Sequence, residues 1–288
     1  MERMQLRQFL RFGPFSPQFP VILSVPHAGR TYPATFHALA RPPLQRMTAL
    51  EDRYADLLVE RAVSRGFTAL IAQVPRVWID LNRAEDDIDP QMFEPVIQSD
   101  QPLSARARGG LGLIPARTPG VGDIWKSRLP LPEVEERLRA QHRPYHAALS
   151  QEIRQARAKF GCALLLDVHS MPPLKAQRGD KAADIVIGDR FGRSCAGQIA
   201  TLAVDIAASH GFSVAMNAPY AGGHILERHG NPKLGVHALQ IEIGRHLYLD
   251  RQLKEAGAGL GIVQSLIEHL ALGLALEIDS GPATLAAE

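Results

Sequence analysis

The chain has 288 residues, is 45% hydrophobic and 22% charged, and carries a formal net charge of +2. That near-neutral balance, with arginines scattered along the chain, argues against a nucleic-acid or membrane-surface binder. The length suffices to bury a large core without crosslinks.

Two cysteines, Cys162 and Cys195, form neither a CxxC pair nor a secreted disulfide framework. The expected compartment is therefore a reducing cytoplasm. The opening stretch MERMQLRQFLRFGPF has charges but no apolar core of signal-peptide length. No run approaches the roughly 18 apolar residues of a membrane span. Near the other end, LIEHLALGLALEI is interrupted by Glu268 and His269 and reads as a docked final helix.

In chain order, PVILSVPH (20–27) predicts a buried strand that stops at a proline and a histidine. TALEDRYADLLVERAVSRG (48–66) predicts a helix, with Thr48 as cap, Glu51 three residues later, and an apolar stripe of Leu50, Tyr54, Leu57, Leu58 and Ala62. FTALIAQVP (67–75) and VWIDLN (77–82) read as strands. Residues 84–127 are rich in Gly, Pro, Asp and Arg, show little periodicity, and fit a lid or binding loop. Residues 132–161 predict a helix that Pro144 kinks or breaks.

ALLLDVH (163–169) is a second apolar strand ending in histidine, and ADIVIGD (183–189) is a further short strand. A helix at about 193–210, a strand FSVAMN (212–217) and a glycine-rich loop APYAGGHILERHG (218–230) follow. GVHALQIEIG (235–244) predicts a strand, and a last helix spans about 250–275. Strands alternating with helices predict an α/β fold: a single domain, 1–288, with a mostly parallel central sheet flanked by helices.

Ligand sites in such sheets lie outside the carboxyl ends of the strands. His27 ends the first strand; Asn82 and Arg83 end VWIDLN; Asp167 and His169 end the LLLD strand; Glu242 sits in QIEIGR; Asp52 follows His27 in the next element. A histidine/carboxylate/histidine set of His27, Asp52 and His169 suits a catalytic zinc, which takes three protein ligands and keeps a position open. Glu51, beside Asp52, competes for the acidic ligand. Asp167 lies two residues before His169, on the same strand face, where it would orient that histidine. Each residue alone also has a bland reading: a capped loop histidine, a first-turn helix acid, a solvated charge run. It is their coincidence at strand ends that points to a site.

Seven stretches in order, SVPHAGRTYP (24–33), EDRYADLL (51–58), VWIDLNRAEDDIDP (77–90), LLLDVHSMPP (164–173), DIVIGDRFG (184–192), NAPYAGGHILERHG (217–230) and ALQIEIGRHLYLD (238–250), resemble the N-formylglutamate amidohydrolase family. The resemblance covers roughly residues 15–270. It implies a zinc-carboxypeptidase-like (phosphorylase/hydrolase-like) fold and hydrolysis of N-formyl-L-glutamate to glutamate and formate, as in histidine degradation. It further implies zinc, or another divalent metal, on His27, Asp52 and His169. Glu242 would be the general base, and Arg83, helped by Asn82, would hold a substrate carboxylate.

Glutamate carries two carboxylates, so a second cationic clamp is expected. Arg228 is the candidate, since the planar guanidinium matches a carboxylate bidentately. Gly222 and Gly223 would let their loop approach the ligand, and His224 would donate a hydrogen bond there. The alternatives are a zinc hydrolase of the same fold acting on another N-acyl amino acid or peptide, and a non-catalytic amino-acid-binding protein. The intact set of His27, Asp52, His169, Arg83 and Glu242 weighs against the second. A serine hydrolase fits poorly, because Ser170 lies in no G-x-S-x-G elbow.

Overall fold

The computed structural model describes residues 8–97, 102–118, 122–176 and 181–280. It divides into two compact units, one of Met1–Leu10, Pro26–Arg53 and Ile71–Ala147, the other of Arg11–Val25, Tyr54–Leu70 and Ala148–Glu288.

A seven-stranded sheet has most of its residues in the second unit. Its strands are β1 (Phe9–Phe12), β2 (Val21–Val25), β3 (Thr68–Ala72), β4 (Ala163–Met171), β5 (Ile185–Gly188), β6 (Val214–Met216) and β7 (Val236–Gly244), in the order β1-β3-β2-β4-β7-β5-β6. Every residue of β2 and β4 is buried. Both faces are covered, so these strands read as continuous Val/Ile/Leu runs rather than alternating ones. β2 and β7 each run parallel to β4, and β6 runs parallel to β5. β5 is antiparallel to β7, which makes the sheet mixed. A short apolar run looks the same in either direction, so the sequence pattern had no means of showing this reversal.

The main helices are α1 (Leu131–Arg137), α2 (Arg143–Phe160), α3 (Gly197–Ser209), α4 (His224–His229) and α5 (Leu260–Ser280). α5 packs against α3, β4 and β2, and α4 packs against β4 and β7. The segment Leu260–Asp279 has a mean hydropathy of 1.4, long and apolar enough on composition to cross a membrane, although no such run was expected. Half of that segment is buried within the protein. Val263, Leu266, Ile267, Leu270, Ala271 and Leu274 form its buried stripe.

The first unit has an aromatic core. Phe36, Trp78 and Trp125 meet edge to face with ring centroids 5.7–6.5 Å apart. The Arg137 guanidinium lies 3.4 Å above the Trp78 ring and donates to the Trp78 carbonyl at 2.9 Å.

Several predicted elements form differently. The helix expected over 48–66 is a 3-10 turn (Thr48–Leu50) and two short helices (Ala55–Leu58 and Glu60–Ser64), with Tyr54 at φ 58° just before the first of the two helices. Helical hydrogen bonding stops there because the Asp52 amide donates to the His27 carbonyl at 3.0 Å. VWIDLN is a turn, closed by the Asn82 amide donating to the Asp80 carboxylate at 2.9 Å. Pro144 does not break its helix. A π-helical segment, Leu138–His142, joins α1 to α2 just before it, widening the turn where proline lacks an N–H. Part of the expected loop 218–230 is helix α4, and the last helix begins at Leu260 rather than near 250.

Candidate active site

β2 is stopped by Pro26, and His27 follows with only 2% of its surface exposed. Its Nε2 donates to Asp80 Oδ1 at 2.7 Å, and Nδ1 lies 3.5 Å from Asp52 Oδ2. Asp80 is fully buried and accepts a second bond from Arg76 Nε at 2.8 Å, while Arg83 Nε stands 3.8 Å away. Burial alone would raise the Asp80 pKa, but the charges of Arg76, His27 and Arg83 hold it well below the usual carboxylate range. Glu51 turns elsewhere: its carboxylate accepts from Tyr32 Oη at 2.5 Å and from Arg53 Nη1 at 2.9 Å. Burial, and then the Glu51 charge, raise the Tyr32 phenol above its ordinary value.

In the second unit, β4 places Asp167 and His169 on one face of the sheet, as the two-residue period dictates. His169 Nε2 donates to Asp167 Oδ2 at 2.7 Å, and Ser24 Oγ donates to Asp167 Oδ1 at 2.7 Å. Ser24 pairs with Asp167 across β2 and β4. Gln240 pairs with Asp167, and Glu242 with His169, across β4 and β7. All five polar side chains therefore share a face. Gln240 Nε2 donates to Glu242 Oε1 at 3.0 Å.

The two candidate histidines thus have the same arrangement. A carboxylate only accepts, so each imidazole carries a proton on Nε2, which leaves Nδ1 as the nitrogen that faces away from the aspartate. A buried carboxylate behind a histidine fixes the ring and strengthens it as a ligand. The buried His and Asp side chains form a donor set that could hold a metal ion.

Arg83 is buried, and burial lowers its pKa. Its Nε donates to the Leu111 carbonyl at 3.0 Å and its Nη1 to the Asn82 carbonyl at 2.8 Å. Nη2 makes no hydrogen bond among the described residues, which leaves one edge of the guanidinium for a ligand. Asn82 is buried beside it.

Gly222 has φ +114°, and a Cβ there would lie 2.5 Å from Leu226 Cδ2. The turn itself therefore requires glycine, whatever the loop binds. Gly223 caps α4 and His224 opens it. Arg228, on α4, is exposed. His229, also on α4, is buried; burial, then Arg228 and His224, lower its pKa from 6.5 to about 4 against the opposing pull of Asp167.

The sequence reading passed over Asp80, Arg76, Ser24 and Gln240. A lone acid inside the apolar run VWIDL was the signal for Asp80, since a buried carboxylate needs partners.

Buried histidine–carboxylate pairs at the strand ends of an α/β sheet are the marks of an enzyme. The chain belongs to the N-formylglutamate amidohydrolase family, whose sequence profile matches residues 19–249. It is 30% identical over 263 residues to the N-formylglutamate deformylase of Pseudomonas aeruginosa, covering 87% of this chain and 92% of that one. It is 32% identical over 239 residues to the N-formylglutamate deformylase of Pseudomonas putida, covering 81% and 83%. The crystal structure of N-formylglutamate amidohydrolase from Ralstonia eutropha superposes with a TM-score of 0.85 at 34% identity, covering 94% of this chain and 98% of that one. A protein of Agrobacterium tumefaciens shares the fold at a TM-score of 0.68 and 19% identity, with 95% of each chain covered.

Proposed function

We propose that the protein is a metal-dependent N-formyl-L-glutamate hydrolase, acting as one catalytic domain to release L-glutamate and formate. Membership of the family and the names of the Pseudomonas relatives support the substrate. The observation that carries the chemistry is the repeated pairing of a buried histidine Nε2 with an aspartate, Asp80 behind His27 and Asp167 behind His169.

His27, Asp52 and His169 are the ligands in this reading, with zinc the metal their donor types suit best. Ser24, three residues before His27, pairs with Asp167, two residues before His169, across β2 and β4. Asp52, facing His27 Nδ1, is preferred to Glu51, which Tyr32 and Arg53 hold. When bound, a divalent metal supplies Lewis acidity to water and to the formyl oxygen.

Glu242, opposite His169, takes the proton from the attacking water and hands it to the leaving nitrogen. Arg83 receives one substrate carboxylate at Nη2, with Asn82 beside it. Arg228, exposed on α4, supplies the second clamp, and Gly222, Gly223 and His224 shape the approach. The free thiols Cys162 and Cys195 fit a cytoplasmic enzyme.

The test is metal content of the purified protein together with formate release from N-formyl-L-glutamate before and after chelation. One metal per chain, with activity lost on chelation and restored by zinc, is the expected result. Stoichiometric metal without formate release would shift the substrate to another N-acyl amino acid. Full activity in metal-free protein would remove the metal from the mechanism.

A further inference from the structure

We propose that His142 and His146 are positioning residues, which hold the Asn82–Arg83 turn so that Arg83 meets a substrate carboxylate. The inference rests on the reading of Arg83 as a carboxylate clamp.

Both imidazoles are completely buried, one helical turn apart, with ring centroids 4.4 Å from each other. His142 Nε2 bonds the Arg83 carbonyl at 2.8 Å, and His146 Nε2 bonds the Leu81 carbonyl at 2.9 Å. A carbonyl only accepts, so both rings donate through Nε2. The Glu85 carboxylate lies 3.8 Å from His142 Nδ1.

The two bonded carbonyls flank Asn82. Residues 81–83 belong to neither helix nor strand, so no ladder supplies partners for their backbone. A buried carbonyl without a donor is costly, and the imidazoles are the donors here. The same backbone fixes the guanidinium: Arg83 Nη1 donates to the Asn82 carbonyl and Nε to the Leu111 carbonyl. Nη2 is the nitrogen left over, and its direction is set by where the turn sits.

His142 is the last residue of the π-helical segment and His146 lies in the first turn of α2. Such segments recur at functional sites, where the extra residue re-aims side chains. Pro144 lies between the two histidines and cannot donate a helical hydrogen bond, which favours the wide turn there. The helix thus presents two donors to two carbonyls spaced two residues apart.

The experiment compares His142→Ala, His146→Ala, the matching Gln variants and Arg83→Ala, each metal-loaded. The substrates are N-formyl-L-glutamate and N-formyl-propylamine, which keeps the formamide and lacks both carboxylates. The alanine variants should raise KM for N-formyl-L-glutamate at least tenfold, with kcat changed less than threefold and the loss confined to the carboxylate-bearing substrate. Glutamine, whose amide also donates, should restore most of the KM. In the double variant with Arg83→Ala, the histidine change should add no further loss.

Equal losses on both substrates would overturn the proposal in favour of a purely structural role. So would an unchanged KM in both histidine variants while Arg83→Ala raises it. If Arg83→Ala itself leaves KM unchanged, the clamp reading fails first, and this inference with it. Should the alanine variants fail to fold, asparagine variants replace them: Asn, too short to reach the carbonyls, should raise KM where Gln does not, and equal KM values would overturn the proposal.

Discussion

His27 and His169 each direct Nε2 at a buried aspartate, and the consequence of losing that aspartate can be stated. Asp80→Asn removes the negative charge behind His27 and leaves Arg76 facing a neutral amide. Metal affinity should fall about 10–100-fold, read by competition with a chromogenic chelator; an unchanged affinity would mean that Asp80 serves only the turn. Glu242→Gln should keep the metal and lower kcat for formate release by roughly 10²–10⁴-fold. A rate within twofold of the parent would exclude Glu242 as the base. Much of this site was visible in the chain itself: Asp167, His169 and Glu242 interrupt apolar strands, and a charge there demands an explanation. Asp80 was not visible as a partner of His27, because 53 residues separate them and only folding brings the carboxylate to the ring.

Among the elements, α1 is docked by a cation. Arg137 is buried, stacked on Trp78, bonded to the Trp78 carbonyl and paired with Glu133 at 2.5 Å; burial lowers its pKa to about 10 despite Glu133. Arg137→Ala removes the stacking and strands a carbonyl, which should destabilise the protein by about 2–4 kcal/mol. Urea denaturation measures this, and a change below about 0.5 kcal/mol, the scale of an ordinary surface substitution, would show that Arg137 is dispensable. α5 depends instead on apolar packing. Leu270→Ala, at a fully buried position, should cost about 2–5 kcal/mol by leaving a cavity. The helices over 131–160 and at the C-terminus were readable from apolar stripes. The outcome at Pro144 was not, because a π segment is settled by what the helix packs against. The stretch 48–66 carried a good stripe and an apparent capping box, yet the bond from the Asp52 amide to the His27 carbonyl overrode both.

For the whole molecule, His229 makes stability depend on pH. Its folded pKa, about 4, lies below its ordinary 6.5, so the unfolded chain takes up the proton first. Its contribution is therefore fully present above about pH 6.5, declines as pH falls toward 4, and levels off below that. The limiting loss is about 3 kcal/mol. Urea denaturation at pH 7.5 and pH 5 should show a larger loss in the parent than in His229→Gln, and equal losses would mean that the burial of His229 is not coupled to its protonation. At this scale the division of information is plain. The sequence alone showed six of the seven sheet strands, missing Phe9–Phe12 and adding VWIDLN, as well as which residues bring polar groups into them and which family the motifs resemble. The physical reason is that burial leaves an apolar run and a buried charge is a costly exception. Tertiary structure alone decided that β5 reverses against β7, that Asp52 faces His27 while Glu51 turns to Tyr32, and that Asp80 and Ser24 stand behind the histidine pairs. These are choices of partner and direction between segments as far as 143 residues apart, and a pattern of apolar and polar positions records that a group is buried, not which group it meets.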